Sequence, residues 1–165
     1  MTKEEQYKEV IPQIQSLIAG ETDLIANMAN IVAVLHNTFH FWCTGFYLVK
    51  DKDQSSIINH QSPITNDQSQ MTSELVLGPF QGPAACTRIP YGRGVCGTAW
   101  KEGRTVIVPD VHAFPGHIAC SSASKSEIVV PIRKDGEIIA VLDIDSADYN
   151  TFDAIDQRYL EQIRL

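Results

Sequence analysis

The chain has 165 residues, is 44% hydrophobic and carries a formal net charge of −7, which indicates one globular domain over residues 1–165 with a single core. The acidic balance argues against nucleic acid as a partner, because phosphate binding draws on clustered Lys and Arg. No apolar run approaches the roughly 20 residues that cross a bilayer, and the amino terminus lacks the apolar segment of a secretory signal, so we expect no membrane contact and a cytoplasmic location.

The amino-terminal part of the chain has the residue spacing of two helices. Residues 3–19 form the first helical pattern, and Pro12 in its middle predicts a kink or a restart. Residues 21–39 form the second pattern, in which apolar residues recur at three- and four-residue spacing and make one buried stripe. This stripe consists of Leu24, Ile25, Met28, Ile31, Val32, Leu35 and Phe39.

Two strands separated by a polar insertion follow the helices. The aromatic and β-branched residues of 41–49 predict the first strand, and residues 74–80 predict the second. Cys43 lies within the first strand and is interpreted as a packed small hydrophobe. The polar stretch of residues 50–73 is predicted to be a surface insertion, to which we assign no function.

The next segment is rich in glycine and proline and carries Cys86 and Cys96. Residues 92–97, GRGVCG, match the dinucleotide fingerprint G-x-G-x-x-G, but a Pro-Tyr-Gly loop precedes them where the fingerprint needs a strand. We therefore do not expect nucleotide binding. The glycines instead predict the start of a short helix over residues 95–102, in whose first turn the helix dipole favours a Cys96 thiolate.

A loop of small polar residues, 112–127, carries Cys120 and follows a short strand predicted at residues 105–108. Such residues cannot build a core, so this thiol is placed for reaction and not for packing. Four cysteines in a cytoplasmic chain indicate reactive or metal-binding thiols more than structural disulfides. His117 and Cys120 form one close pair of metal-ligand type, but zinc sites are usually marked by pairs such as C-x-x-C, so we expect no metal.

Two apolar runs, residues 127–133 and 137–145, surround the sequence Lys-Asp-Gly and predict a β-hairpin. A two-residue turn pairs Lys134 with Glu137, whereas a three-residue turn pairs Arg133 with Glu137. Only the three-residue turn separates the acidic residues from the alternating apolar residues, so we predict that register.

In the predicted register, three carboxylates converge near one end of the hairpin. Glu127 lies directly opposite Asp143, with Asp145 one step along the same face and Ile139 and Val141 beside them. An acidic cluster at the end of a partly apolar surface is typical of a small-ligand pocket. The alternative is an exposed strand end that simply carries charge.

The chain closes with a third helical pattern. Asp153, or alternatively Thr151, is expected to cap a final helix that runs to Leu165. Strands occupy the middle of the chain and helices its two ends, without regular β-α-β alternation. The simplest architecture is therefore α+β, a central antiparallel sheet with helices packed on one face.

Five segments carry a family resemblance: ELVLGPFQG, CTRIPYGRGVCGTAW, VPDVHAFPGHIAC, SEIVVPI and VLDIDS. In this order they resemble the free methionine-(R)-sulfoxide reductases, which are stand-alone GAF domains, and the likeness extends from Phe41 onward. The three cysteine segments resemble that family and not GAF domains at large. The resemblance implies a GAF-like α+β fold and reduction of free methionine-(R)-sulfoxide, with thioredoxin as external reductant and no bound cofactor. A homodimer is left open.

The resemblance also assigns roles to the thiols. It places the catalytic cysteine at Cys120 and its disulfide-forming partner at Cys86. Cys96 corresponds to the third family cysteine, which can take part in a thiol relay. These roles are implied by the family and not by spacing.

The resemblance places the substrate-binding carboxylates at Glu127, Asp143 and Asp145, the residues that the hairpin register brings together. Tyr47 corresponds to a family tyrosine, and Trp42 to an aromatic wall of the pocket. Relatives resemble WAGFYL, whereas this chain reads WCTGFYL and is one residue longer, so Trp42 can be displaced or turned around.

A second hypothesis comes from a different class of protein. GAF domains also serve as non-enzymatic sensors that bind a small molecule or a metal and change their partner contacts. We favour the enzyme, because the loop thiols have no evident task in a sensor and no output domain is recognisable in the sequence.

Overall fold

The computed structural model describes residues 1–52 and 72–165, in which four helices flank a six-stranded antiparallel sheet. Most of the predicted 50–73 insertion lies outside the described residues. In chain order the elements are α1 (Lys3–Ile18), α2 (Leu24–Phe39), β1 (Cys43–Asp51), β2 (Ser73–Gln81), β3 (Arg88–Pro90), α3 (Gly94–Glu102), β4 (Val106–Val108), β5 (Ser126–Lys134), β6 (Glu137–Ser146) and α4 (Ala154–Leu160).

The two amino-terminal helices begin at side-chain caps. Thr2 and Glu5 form a capping box at the start of α1, and Asp23 accepts a hydrogen bond from the backbone of Ala26 at the start of α2. The restart that Pro12 predicted does not occur, since α1 is continuous, and the alternative of a kink stays a prediction. Buried apolar side chains on both sides of Pro12 hold the helix on the core and outweigh the loss of one backbone hydrogen bond.

The sheet has the strand order β3-β2-β1-β6-β5-β4 and separates two apolar layers. One face packs against α1, α2 and the carboxyl-terminal segment, with Met28, Phe46 and Leu142 in its core. The other face packs against α3, with Trp100 and Val141 in a second core. The expectation of helices on one face is therefore wrong: α3 carries its own apolar stripe and buries it on the opposite side.

The β5–β6 hairpin closes through a two-residue turn, so the predicted three-residue turn is wrong. Lys134 pairs with Glu137, and the two residues between them, Asp135 and Gly136, have positive φ angles of 51° and 85°. Two successive positive φ angles are typical of a type I′ turn, whose twist matches that of the flanking strands.

A β-bulge next to this turn nevertheless produces the predicted sorting of the acidic face. The pairing shifts by one residue between Arg133–Ile138 and Ile132–Ala140, which leaves Ile139 as the extra residue on β6. Ile139 therefore packs on the face covered by α1 and α2 and not on the face of the acids, contrary to prediction. Beyond the bulge the alternation is as predicted, but Glu127 lies opposite Asp145 and not opposite Asp143.

The ends of the chain are joined by a buried polar contact. Asp156 in α4 is fully buried and accepts hydrogen bonds from Lys3 Nζ at 2.6 Å, from Tyr7 OH at 2.9 Å and from the backbone of Asp153 at 2.8 Å. Asp153 caps α4 as predicted, although that helix ends at Leu160 and not at Leu165. Within residues 1–52 and 72–165, no helix is both long and apolar enough to cross a bilayer.

Candidate active site

A cavity opens on the sheet face that α3 covers. Residues of β1, β2, β5 and β6 form its floor, and the start of α3 and the loops over residues 83–85 and 117–124 form its walls. The cavity is lined by Cys43, Gly45, Tyr47, Leu77, Phe80, Pro83, Ala84, Ala85, Ile89, Arg93, Gly94, Val95, Cys96, His117, Ile118, Cys120, Ser121, Ser124, Glu127, Asp143 and Asp145. Three of the four cysteines and the three predicted carboxylates therefore line one cavity.

Strand pairing brings the carboxylates together. Asp145 of β6 lies between Cys43 of β1 and Glu127 of β5, each directly opposite it across the sheet. Asp143 lies one row further along the same face, opposite Gly45. Side chains two residues apart on one strand share a face, so the three acids project into the cavity.

These carboxylates are poorly solvated and close to one another. Glu127 is 5% exposed, and burial followed by the charges of Asp143 and Asp145 raises its pKa well above the ordinary value. The pKa of Asp143 is likewise raised well above the ordinary value, by burial and then by Asp145. Its Oδ1 atom is buried without a hydrogen-bond partner among the described residues. Such a cluster favours a bound proton or a cationic ligand group.

Asp145 differs from the other two acids because it has a hydroxyl donor. Burial raises its pKa to about 6, and a hydrogen bond from Ser124 opposes that rise. The Ser124 Oγ donates to Asp145 Oδ1 at 2.5 Å. Of the three acids, Asp145 is therefore the one whose charged form is stabilised by a hydrogen bond from a hydroxyl group.

Two thiols of the cavity region form a disulfide. Cys86 and Cys120 are bonded across a separation of 34 residues, with Cα atoms 5.3 Å apart. This is the pairing that the family resemblance implies. Both residues remain partly exposed, so an external thiol has access to them.

Burial outweighs the helix dipole at Cys96, so the prediction that this position favours a thiolate is wrong. Its side chain is 3% exposed, and its Sγ lies 4.0 Å from Oε1 of Glu127. Burial, then Asp143 and Glu127, raise the pKa of this thiol well above the ordinary value. A helix terminus contributes only about 0.3 to 1 kcal/mol at an exposed site, which is less than desolvation next to two acids costs a buried thiolate.

Cys96, Glu127 and Asp143 also form a group of metal-ligand type, in which one ligand atom from each residue lies within 4.8 Å of the others. This set differs from the His117–Cys120 pair considered from the sequence. The proximity of the three residues follows from the sheet register and the position of α3, and short-range ligand spacing does not reveal it.

Comparison with known proteins identifies the family. A family model described as GAF domain matches residues 21–163. The chain is 42% identical over 165 residues to the free methionine-R-sulfoxide reductase of Escherichia coli, covering 99% of this chain and 87% of that protein. It is 36% identical over 170 residues to the Saccharomyces cerevisiae protein of the same name, covering 99% and 84%.

A solved structure agrees with these relatives. The free methionine-R-sulfoxide reductase from Neisseria meningitidis in complex with its substrate has a TM-score of 0.82 and 51% identity to this chain, covering 98% of this chain and 86% of that one. The chain belongs to the free methionine-R-sulfoxide reductase family of GAF domains. The resemblance drawn from the five sequence segments and the GAF-like fold are thereby confirmed.

In this member of the reductase family, Tyr47 and Trp42 both contact the redox-active loops. Tyr47 is buried, and its hydroxyl donates to the carbonyl of Cys86 at 2.9 Å. Trp42 is 38% exposed and lies outside the residues that line the cavity. Its Nε1 donates to Ser121 Oγ at 3.2 Å, next to Cys120. Trp42 therefore does not form the expected aromatic wall of the cavity, and contacts it only through Ser121, a displacement that the extra residue in WCTGFYL allowed.

Cys43 is a residue of this reductase-family cavity that the sequence analysis missed. It was interpreted as a packed hydrophobe, but it is only partly buried and lines the cavity opposite Asp145. Burial and the nearby carboxylates, Asp143 first among them, raise the pKa of its thiol to about 12. The available signal was alternation along β1, which places residue 43 on the same face as Tyr47.

His117 approaches the acids from the loop side. Its Nε2 lies 3.8 Å from Oε2 of Glu127. Burial and then His112 lower the pKa of His117, so the imidazole is neutral at physiological pH. The histidine therefore supplies a polar wall and not a counter-charge for the carboxylates.

Proposed function

We propose that the protein reduces free methionine-(R)-sulfoxide to methionine. One juxtaposition carries the proposal: Cys120, which forms a disulfide with Cys86, lines the same cavity as the three carboxylates Glu127, Asp143 and Asp145. The relatives from E. coli and S. cerevisiae are named for this reduction, and the N. meningitidis relative was solved with its substrate.

The carboxylates account for recognition of a free amino acid. Glu127, Asp143 and Asp145 crowd negative charge into a poorly solvated space, and Asp143 leaves one buried oxygen without a donor. The ammonium group of free methionine sulfoxide supplies three N–H donors and a compensating positive charge. A methionine inside a polypeptide has an amide in that place, which supplies one N–H and no charge.

The chemical step transfers oxygen from the substrate to the enzyme. The Cys120 thiolate attacks the sulfoxide sulfur, and a carboxylic acid of the cluster protonates the departing oxygen. The attack forms a bond between the Cys120 sulfur and the substrate sulfur while the sulfur–oxygen bond of the substrate breaks and hydroxide departs. Hydroxide then adds to the Cys120 sulfur, the sulfur–sulfur bond breaks, methionine leaves, and Cys120 ends as a sulfenic acid. Because burial raises the pKa of Glu127 and Asp143, a carboxyl proton is available near neutral pH.

The enzyme is then reset in two thiol steps. The Cys86 thiol condenses with the Cys120 sulfenic acid, which releases water and forms the disulfide. The dithiol of thioredoxin reduces that disulfide by exchange and becomes oxidised itself. We propose thioredoxin as the external reductant and no bound cofactor, since the cysteines and the reductant account for all the electrons.

The test is a coupled assay with purified protein, thioredoxin, thioredoxin reductase and NADPH. NADPH is expected to be consumed with free methionine-(R)-sulfoxide, and much more slowly with the S epimer or with N-acetylated substrate. Cys120→Ser provides the control for thiol dependence. Tight binding of the sulfoxide without methionine formation would instead support a GAF sensor and overturn the proposal.

A further inference from the structure

Cys96 is a buried thiol for which the proposed reaction has no need, since Cys120 attacks and Cys86 resolves. It lies in the first turn of α3, the helix that packs on the sheet face carrying the carboxylates. Its Sγ is 4.0 Å from Oε1 of Glu127. Asp143 completes this group, with ligand atoms within 4.8 Å of one another. Cys96 is therefore packed against the acids of the cavity.

The carboxylate cluster receives hydrogen bonds from two different elements. Ser124 of the catalytic loop donates to Asp145 at 2.5 Å, and Cys96 of α3 donates its S–H to Glu127. A buried carboxylate that lacks donors loses solvation without compensation, and its orientation is not fixed. The hydroxyl and the thiol thus each donate to one of two neighbouring acids, and the thiol contact is the longer and weaker of the two.

We propose that Cys96 is a positioning residue, which donates its S–H to Glu127 and holds the carboxylate cluster in its binding geometry while taking no redox part in turnover. This inference rests on the proposed function and assigns a role within the same site. It differs from the relay role that the family resemblance allows for this cysteine.

Two observations oppose a redox role. Thiol exchange requires a thiolate that reaches the disulfide, but Cys96 is 3% exposed and is kept protonated by burial and the adjacent acids. The oxidised form already contains its disulfide at Cys86–Cys120, and Cys96 is free in it. A protonated thiol beside a carboxylate is a donor and not a nucleophile.

The test compares Cys96→Ser, which retains a hydrogen-bond donor, with Cys96→Ala, which removes it. The measured quantity is the rate of the first turnover, with reduced enzyme in excess of free methionine-(R)-sulfoxide, rapid quenching and quantification of methionine. The first turnover takes place before any recycling step, so its rate does not depend on how the disulfide is reduced. Loss of one net hydrogen bond of about 1 kcal/mol predicts that Cys96→Ala is about fivefold slower than Cys96→Ser. Equal rates in the two variants overturn the proposal, whether both are slow or both match the wild type.

Disulfide mapping of the oxidised enzyme gives an independent result. After turnover in the absence of thioredoxin, mass spectrometry is expected to find Cys86–Cys120 as the disulfide and Cys96 as a free thiol. A substantial fraction of any disulfide that contains Cys96 would show a relay and overturn the non-redox role.

A substrate-independent measurement separates this inference from the proposed function. The infrared S–H band of Cys96 in the reduced protein is identified by its loss in Cys96→Ser. It is expected to move to higher frequency in Glu127→Ala, because the acceptor is gone. An unchanged band overturns the positioning role. If the band shifts in Glu127→Ala but the wild type forms no methionine, the proposed function is refuted while the Cys96–Glu127 hydrogen bond stands. Circular dichroism checks that each variant is folded.

Discussion

Removal of the Ser124 hydroxyl is expected to raise the pH at which the enzyme begins to work. The Ser124 Oγ donates to Asp145 Oδ1 at 2.5 Å and favours the charged carboxylate, whereas burial favours the neutral acid. The two opposing effects place the pKa of Asp145 at about 6. If ammonium recognition needs this charge, the acidic limb of kcat/KM lies near that pH in the wild type.

The size of the change follows from the kind of hydrogen bond that is lost. A hydrogen bond to a charged group contributes about 1.5 to 3 kcal/mol, and about 1.4 kcal/mol corresponds to one pH unit. Ser124→Ala is therefore expected to move the acidic limb upward by about one to two pH units, into the neutral range. At alkaline pH, where Asp145 is charged in both proteins, most of the difference is expected to disappear.

The assay measures kcat/KM for free methionine-(R)-sulfoxide across the pH range for the wild type and two variants. Ser121→Ala is the matched control, because the Ser121 hydroxyl accepts from Trp42 and from the backbone of Ala123 and does not donate to Asp145. Only Ser124→Ala is expected to shift the limb. An acidic limb that stays at its wild-type position, or that moves equally in both variants, would refute the reasoning.

Four further substitutions have expected outcomes. Cys120→Ser is expected to abolish methionine formation, because it removes the attacking thiolate; near wild-type turnover would contradict this. Cys86→Ser is expected to complete one turnover and leave a sulfenic acid that dimedone traps for mass spectrometry, and continued multiple turnover would point to another resolving route. Asp143→Asn keeps the size but removes a group that can hold the catalytic proton or pair, as a carboxylate, with the substrate ammonium, so kcat/KM is expected to fall about ten- to a hundredfold. N-acetylation of the substrate should then cost this variant less than the wild type, and equal losses would show that Asp143 does not bind the ammonium. The same variant is expected to melt at a higher temperature at neutral pH, because a carboxyl whose pKa is raised in the folded state lowers stability as pH rises above its unfolded pKa; calorimetry decides this. Asp156→Ala is expected to destabilise the fold by about 2 to 4 kcal/mol, because it leaves the buried Tyr7 hydroxyl without its acceptor and removes the capping-box bond to the backbone of Asp153; a change in urea denaturation below about 1 kcal/mol would contradict that.

The elements with local signals were predictable from the chain. The apolar spacing of α2, the Gly-rich start of α3 and the alternation of β5 and β6 all depend on residues within a few positions of one another. The two-residue turn and the bulge were missed for a related reason. A bulge adds one residue and reverses the alternation, so a wrong turn without a bulge and the correct turn with one produce the same pattern of faces.

The electrostatic state of the site was not predictable in the same way. Cys96 lies in the first turn of a helix, and local reasoning therefore favoured a thiolate. Its actual state depends on burial and on Glu127 and Asp143, which reach it from other strands. The environment of Cys43 was misjudged for the same reason. Alternation along the strand shows which face Cys43 lies on, but not that this face borders a cavity.

The sequence by itself determined which residues are available for chemistry: the cysteine segments, the acidic strand ends and the family to which they belong. These features are encoded in residue identity and short spacing. The tertiary structure decided which groups meet: Asp145 between Cys43 and Glu127, Ser124 and Cys96 as donors to the acids, and Trp42 on Ser121 instead of in the cavity. The physical reason is that pKa values and hydrogen-bond partners depend on desolvation and on charges a few ångströms away, and the groups responsible are far apart in the chain.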